Sequence, residues 1–420
     1  MSLALEPRDR EILAGARGDG AAFAMRLVVR AAEVTGADEL IDISGAHVDS
    51  CLYHGEASLD FVDRLVDGGA RTVVPTTLNV GGVDLLHPEL YRGDPRVAER
   101  SRLLMDRYRA LGARPTFTCA PYQLADARPN LGEQVAWGES NAIAFCNSVL
   151  GARTNRYGDF IDVAAAIVGR VPYAGLHRTD ERRARMVLRL ADDIPVPLRD
   201  SDVLFPLLGI VVGRRAGSTV AAVEGLPPGQ SEDRLKALGA AAASSGSVAM
   251  FHVVGSTPEA ATLEDALQGR EPDAVEVITP AELRAVREEL TTAAGDALGA
   301  VSLGTPHASA AQLARYATLL NGRRISPGLQ LLVSAGRDVL AEAAEHARAL
   351  ETAGATLLTD TCSYIAPILR PTQGAVMTDS AKWAYYAPGN IGASVIFAST
   401  DECIESAVAG RVVQDEAPWR

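Results

Sequence analysis

Five times along this chain a short apolar run stops abruptly in small and polar residues: DISGAH (42–47), VPTTLN (74–79), TFTCAPY (116–122), VSLGTPH (301–307) and LLTDTCS (357–363). Around these runs, apolar spacing near 3.6 predicts helices over 8–35, 57–67, 95–111, 231–245, 281–291, 308–320 and 336–353. Short strands are predicted over 40–43, 72–75, 116–119, 248–254, 300–303, 330–334 and 355–359. Alternation of this kind constrains the chain to an α/β fold with parallel sheets. Residues 140–149 open a further helix, and the polar stretch 256–275 reads as a connection between lobes. Ligands of such folds bind beyond the carboxyl ends of strands. Five strand-end loops bearing hydroxyl, thiol or imidazole groups therefore point to one shared active site.

The 420 residues are 47% apolar, enough for a large core divided into several lobes. The formal charge of −13 speaks against a general nucleic-acid binder. No apolar run approaches the roughly 20 residues of a membrane span. The opening MSLALEPRDREIL is not a basic-then-apolar signal segment, so a cytoplasmic location is expected, with neither membrane nor nucleic acid as partner. Five cysteines without a CxxC suit neither a disulfide framework nor a zinc ribbon. Of 40 basic residues only Lys236 and Lys382 are lysines. A lysine kept in so arginine-rich a chain is a candidate for work that needs a compact charge.

Cys119 and Cys362 each follow a predicted strand, and Cys51 lies in a loop-to-helix stretch. Thiolates from scattered loops can hold an iron-sulfur cluster whose open iron acts as a Lewis acid; equally, each thiol suits a small buried hydrophobe. Cys146 and Cys403 read as buried structural thiols. His47, His54 and His307 fall in strand-end loops, and His307 is the best acid–base candidate. His177 and His252 sit in apolar settings and read as structural. Glu139-Ser140-Asn141 stands at a predicted helix N-terminus. Ser140 or Asn141 there either caps the helix or helps gather backbone N–H groups around an anion, and Glu139 either answers the helix dipole or moves a proton. No GxGxxG follows a strand, and GxxxxGK[ST] and GxSxG are absent, so nucleotide-binding and serine-hydrolase readings lack support.

The segments ISGAHVDSCLYHG, VPTTLNVGGVDLLHPELYRGD, TCAPYQ, GEQVAWGESNAIAFCNSVLGARTNRYGDF, GRVPYAGLH, LGTPHAS, TDTCSYIAP and TDSAKWAYYAPG resemble the large catalytic component of the aconitase X family, from about residue 5 to 415. The resemblance implies an aconitase-like, multi-lobed α/β core over residues 1–420, with parallel sheets around a central cluster site, and a hydro-lyase activity. Bacterial members dehydrate cis-3-hydroxy-L-proline to Δ1-pyrroline-2-carboxylate; archaeal members dehydrate mevalonate 5-phosphate. The archaeal pattern has a cysteine where this chain has Thr305, whereas Cys51 in VDSCLYHG resembles the hydroxyproline type. The implied cluster ligands are Cys51, Cys119 and Cys362, on a [2Fe-2S] centre. The implied substrate contacts are Gly45, Ala46, His47, Asn79, Val80, Glu139, Ser140, Thr305 and Lys382, with Glu139, His307 and Lys382 as the catalytic set.

Family enzymes also use a small swivelling domain that supplies a serine to remove the substrate proton. The large component takes up these 420 residues, so the swivel domain is expected to be absent from them and to come as a separate small subunit. Arg153 or Arg156 and helix N-termini are expected to offset the overall negative charge around an anionic hydroxy acid. Lys382 is the expected substrate-contacting lysine, and Lys236, in EDRLKALG, is expected on a solvated helix surface. The competing readings are a dehydratase for another hydroxy acid such as mevalonate 5-phosphate, and a cluster-free binding or scaffold component.

Overall fold

The structure, a computed structural model, describes residues 3–371 and 374–420. It divides into two compact units: Met1–Val83 with Asp94–Arg183, and Asp84–Gly93 with Ala184–Arg420. Among the described residues no helix is long and apolar enough to cross a membrane.

The first unit runs α1 (Pro7–Leu13), α2 (Asp19–Thr35), β1 (Leu40–Asp42), β2 (Ala46–Val48), α3 (Glu56–Asp67), β3 (Thr76–Leu78), α4 (Pro95–Ala110), β4 (Ala136–Trp137), α5 (Ser140–Phe145), α6 (Ile161–Val168) and β5 (Arg170–Pro172). The long helix expected over 8–35 is two helices, because Gly15 and Gly18 take left-handed angles between them. α2 buries Ala21, Met25, Val28 and Ala32, a stripe at helical spacing that packs on the wholly buried run of α6. β2 lies between β3 and β4 in a parallel sheet, with Ala46 opposite both Thr76 and Ala136. β1 and β5 form a separate antiparallel pair.

Two strand expectations shift here. The strand expected over 72–75 forms at Thr76–Leu78, because Thr72 and Val73 donate to Leu111 and Ala166 instead of to a ladder. The strand expected over 116–119 does not form: Phe117 has φ 40°, and Thr118 returns its N–H to Leu78.

The second unit runs β6 (Met186–Leu190), α7 (Val196–Arg199), α8 (Leu204–Ala216), β7 (Ala221–Glu224), α9 (Glu232–Ser245), β8 (Phe251–Val253), α10 (Leu263–Leu267), β9 (Ala274–Ile278), α11 (Pro280–Leu290), β10 (Leu298–Ala308), α12 (Ala310–Leu320), β11 (Gln330–Ala335), α13 (Arg337–Glu342), α14 (Ala344–Ala353), β12 (Thr356–Leu358), β13 (Ala375–Thr378), α15 (Ala381–Ile391), β14 (Val395–Phe397) and α16 (Thr400–Ala409). Its two parallel sheets have the orders β8-β7-β6-β9 and β12-β11-β10-β13-β14. The stretch 256–275 is no loose connection, since Ala260, Ala266 and Leu267 join Val187 and Ala222 in a core cluster. The helix expected over 336–353 is split at Ala343 into α13 and α14.

In the five-stranded sheet the chain leaves β10 in one direction, through β11 and β12, and returns on its other side as β13 and β14. The topological switch point thus lies between β10 and β13, where parallel sheets place ligands. α8 and α9 are closely apposed: a Cβ at Gly209 would lie 2.3 Å from the Leu238 carbonyl. β10 pairs with β11 up to Leu303 and again at Ala308, and the register breaks between. Gly304 opens that break at φ +80°, where a Cβ would stand 2.2 Å from the Ser334 carbonyl oxygen.

Two buried imidazoles belong to the first unit. His47 Nδ1 is 2.8 Å from Thr77 Oγ1, and His177 is held by Gln134 and Tyr157. Burial pushes His47 down to about 3, against a partial offset from the Glu139 charge. Burial, with the Arg182 and Arg153 charges, does the same to His177.

Gly304→Ala is expected to cost about 2–4 kcal/mol in urea unfolding, from backbone strain plus overpacking; a change too small to measure would contradict the tight fit. The depressed histidines bind protons only when unfolded. Their contribution is fully present above pH 6.5 and is lost as pH falls from there toward about 3. His177→Asn should therefore remove roughly 2 kcal/mol of the stability loss between pH 7 and pH 5. An unchanged pH slope would show that His177 already titrates normally in the folded chain.

Candidate functional site

Most of the implied site residues fall on two carboxyl edges of parallel sheet, one in each unit. In the first unit the strand ends are Val48, Leu78 and Trp137, and Asp49-Ser50-Cys51, Asn79-Val80 and Gly138-Glu139-Ser140 follow them directly. Backbone bonds tie the three turns together: Asn79 N–H donates to the Val48 carbonyl at 2.9 Å, and Gly138 N–H to the His47 carbonyl at 2.6 Å. The Asn79 amide also donates to the Asp49 carboxylate. Asp162, at the start of α6, receives Asp49 N–H at 2.6 Å and Ser50 Oγ–H at 2.7 Å.

Glu139 caps α5 from a left-handed backbone, φ 66°, and accepts from Ala142 N–H at 2.8 Å. Asn141 donates to Glu139 and, at 2.8 Å, to the Cys119 carbonyl, which joins the Cys119 loop to this edge; Tyr122 Oη–H fixes the other end of the Asn141 amide. The edge is acidic and largely buried. Burial first, then the charges of Glu139 and Asp159, raise Asp49 well above the ordinary carboxylate range. Burial also lifts Asp162 to about 6 although Ser50 and Asp49 hydrogen-bond its charged form. Cys51 donates to the Asn79 carbonyl at 3.0 Å, and burial followed by the Asp49 and Asp162 charges raises its thiol well above normal. His47 Nε2 and Asn79 Oδ1 are buried there without a hydrogen-bond partner.

Gly45 and Ala46 lie elsewhere, at the amino end of β2. Their backbone groups are used in the sheet: Gly45 O accepts from Ala136 N–H, and Ala46 N–H donates to Pro75 O. Arg153 donates to the His177 carbonyl at 3.1 Å. Asp49, Ser50 and Asp162 line this edge although the sequence reading does not single them out, and Asn141, read there as a helix cap or anion-gathering residue, fixes Glu139. Asp49 and Ser50 carried a signal, as the first polar residues after the AHV run, but the Asp162 contact spans 112–113 positions.

In the second unit the carboxyl edge holds Thr305 and His307 on β10, the Thr359–Ser363 turn after β12, and the Asp379–Lys382 turn into α15. Thr305, His307, Cys362 and Lys382 are all buried. The His307 ring lies with Nε2 3.3 Å from the Thr361 carbonyl. Ser363 Oγ meets Ser302 Oγ at 2.8 Å and receives the Trp383 indole N–H at 2.9 Å. Arg337 pairs with both oxygens of Asp360 at 2.6 and 2.5 Å, and Asp84 accepts from Thr359 N–H at 2.9 Å. The Thr305 and Thr361 hydroxyls are buried and have no hydrogen-bond partner. The ligand atoms of His307 and Cys362 lie within 4.8 Å of one another, a soft sulfur near an imidazole nitrogen, which suits a metal centre. Lys236, expected at the surface, is 3% exposed; an ion pair with Asp233 at 2.9 Å makes its burial tolerable. Cys146, Cys403, His177 and His252 are buried, as structural residues would be.

Three family models match in succession: Aconitase X first domain over residues 2–180, second domain over 184–288 and third domain over 298–409. A cis-3-hydroxy-L-proline dehydratase of Pseudomonas aeruginosa is 43% identical over 99% of this chain and 72% of its own length. The protein of that name from Hypocrea jecorina is 42% identical over 98% of this chain and 69% of its own. The phosphomevalonate dehydratase large subunit of Methanosarcina mazei is 33% identical over 97% of this chain and 98% of its own. The crystal structure of Thermococcus kodakaraensis aconitase X in its holo-form superposes with a TM-score of 0.86 at 32% identity, covering 96% of this chain and all of that one. With all three domain models matched in order, and relatives above 40% identity along nearly its whole length, the chain belongs to the aconitase X family.

Proposed function

We propose that the protein is a hydro-lyase that dehydrates cis-3-hydroxy-L-proline to Δ1-pyrroline-2-carboxylate. The observation that carries this reading is the 43% identity, over 99% of the chain, to a dehydratase named for that substrate. The charge of the first unit's edge supports it. Hydroxyproline brings a secondary ammonium, which Asp49 and the unpartnered Asn79 Oδ1 suit. A phosphorylated hydroxy acid brings only negative charge to the same edge. The substrate carboxylate is held by Lys382, buried in the first turn of α15. Glu139, fixed by Asn141 and Ala142, passes a proton to the departing hydroxyl, with His307 as the second proton-handling group.

An iron-sulfur cluster is held, in this proposal, by Cys119 and Cys362 with Cys51 as the third thiol, in a [2Fe-2S] form. When bound it supplies a Lewis acid for the leaving hydroxyl. Cys51 would serve there as the thiolate, although burial raises this thiol. The serine that removes the α-proton comes from a small swivel-domain partner. The relatives named large subunits, matched over 98% of their length in one case, support a partner of this kind.

Purified chain co-expressed with such a partner should turn over cis-3-hydroxy-L-proline and leave mevalonate 5-phosphate untouched, as followed by proton NMR of the products. The opposite preference would overturn the substrate assignment. Lys382→Arg is expected to lower kcat/KM by about 10- to 100-fold, the loss of one well-placed charged hydrogen bond. Cys51→Ser, Cys119→Ser and Cys362→Ser should each abolish bound iron and the visible absorbance between about 400 and 600 nm, while Cys403→Ser keeps both. Full iron in any of the three would remove that residue from the ligand set.

A further inference from the structure

We propose that Lys236 is a positioning residue for His307, and that a lysine, rather than any cation, is what the position requires. This rests on the reading above only in giving His307 a part in proton handling; the clamp itself is visible in the second unit alone.

Lys236 projects from α9, and its ammonium has three acceptors around it: Asp233 Oδ1 at 2.9 Å, Gln312 Oε1 at 2.5 Å and the backbone carbonyl of His307 at 3.3 Å. An ammonium has three donors, and each finds a partner. Asp233 is shared in turn: its other oxygen accepts Ser309 Oγ–H at 2.8 Å, and Ser309 N–H donates to Gln312 Oε1 at 3.1 Å. A lysine–aspartate pair one turn apart on α9 therefore grips the main chain at residues 307–309 and the cap of α12. Burial would raise Asp233, but the Lys236 charge and the hydrogen bonds from Lys236 and Ser309 outweigh it and keep the carboxylate charged.

The grip acts where the sheet ladder does not. β10 is out of register with β11 from Gly304 to His307, and a cavity of about 310 Å³ borders Gly304, Thr305 and Pro306 together with Asp233, Lys236 and Gln312. The close seating of α9 on α8 at Gly209 gives the clamp a fixed base. At the far end of the segment the imidazole of His307 reaches the Thr361 carbonyl, next to Cys362. Displacing the His307 carbonyl displaces that ring.

Arginine cannot replace this lysine. A planar guanidinium is longer and sends its N–H groups in one plane, whereas the three acceptors here come from a side chain on the same helix, a side chain of α12 and the backbone of β10. In a chain with 38 arginines and two lysines, the persistence of lysine at 236 fits that demand.

The test combines kinetics, in the full chain with its small partner, with ring-¹⁵N histidine NMR of the full chain purified without metal. Lys236→Arg and Lys236→Gln should both lower kcat by about 10- to 100-fold, as loss of a supporting contact does, with KM for hydroxyproline unchanged. The His307 ring signals should move while those of His47 and His177 stay in place, which also reports that the variant has folded. Ser309→Ala, which removes only the outer tie to Asp233, should move the same signals less and keeps the test open if the Lys236 variants do not fold. Wild-type kcat with unmoved His307 signals in Lys236→Arg would overturn the proposal. A wild-type chain inactive on every hydroxy acid would sink the proposed function, yet the NMR arm would still decide the clamp.

Discussion

A central strand in a parallel sheet must pair its backbone on both sides, and β10 meets this demand only in part. From Ala300 to Ser302 it is locked between β11 and β13. Beyond Leu303 the ladder to β11 breaks until Ala308, and the intervening residues include Thr305 and His307 of the proposed site. A strand that paired to its tip would place these side chains by the alternation of the pleat alone. The left-handed turn at Gly304 frees them from that alternation, and polar contacts from α9 and the Thr361 turn take over the task of fixing them. The rest of the second unit can be understood as what makes that exchange tolerable: an all-apolar core under the strand, and helix caps around its end.

The first unit solves a related problem with charge. Its edge collects Asp49, Glu139 and Asp162 around neighbouring strand ends, with Glu139 and Asp162 buried. Such a cluster is costly unless some carboxyls take up protons or a cation arrives, and burial raises both Asp49 and Asp162 in that direction. The neutral His47 beneath it adds no compensating charge. A ligand that carries its own positive group relieves the strain directly, which links the electrostatics of the edge to the class of molecule it takes.

Much of this was legible in the amino-acid order. Strand-end motifs marked Asn79, His307 and Cys362, because a short apolar run followed by polar residues has one natural place in an α/β fold, and a predicted helix N-terminus marked Glu139. Helix limits read well where a cap or glycine marked them, as at Ser231 and Gly36. What failed depended on distant partners. The 116–119 run looks like a strand, yet its pairing options are taken by Leu78. Gly45 and Ala46 sit in a strand-end motif, but they stand at the amino end of the three-residue strand β2, away from Asp49 and Ser50. Lys236 lies in a sequence with every mark of a solvated helix, and only the arrival of Gln312 and His307, more than seventy positions later, buries it.

The ten residues Asp84–Gly93 belong to the second unit although they are encoded within the first. Asp84 is buried there against Thr359, 275 positions downstream. During synthesis at about 5–20 residues per second, that carboxylate waits roughly 15–55 s for its partner. The first unit must close around a loop whose contents are not yet used, and neither unit corresponds to a continuous stretch of the gene. Cutting the chain at residue 183 would leave the second unit without its Asp84 anchor. Order of emergence, and not only final geometry, is thus written into where this short segment sits.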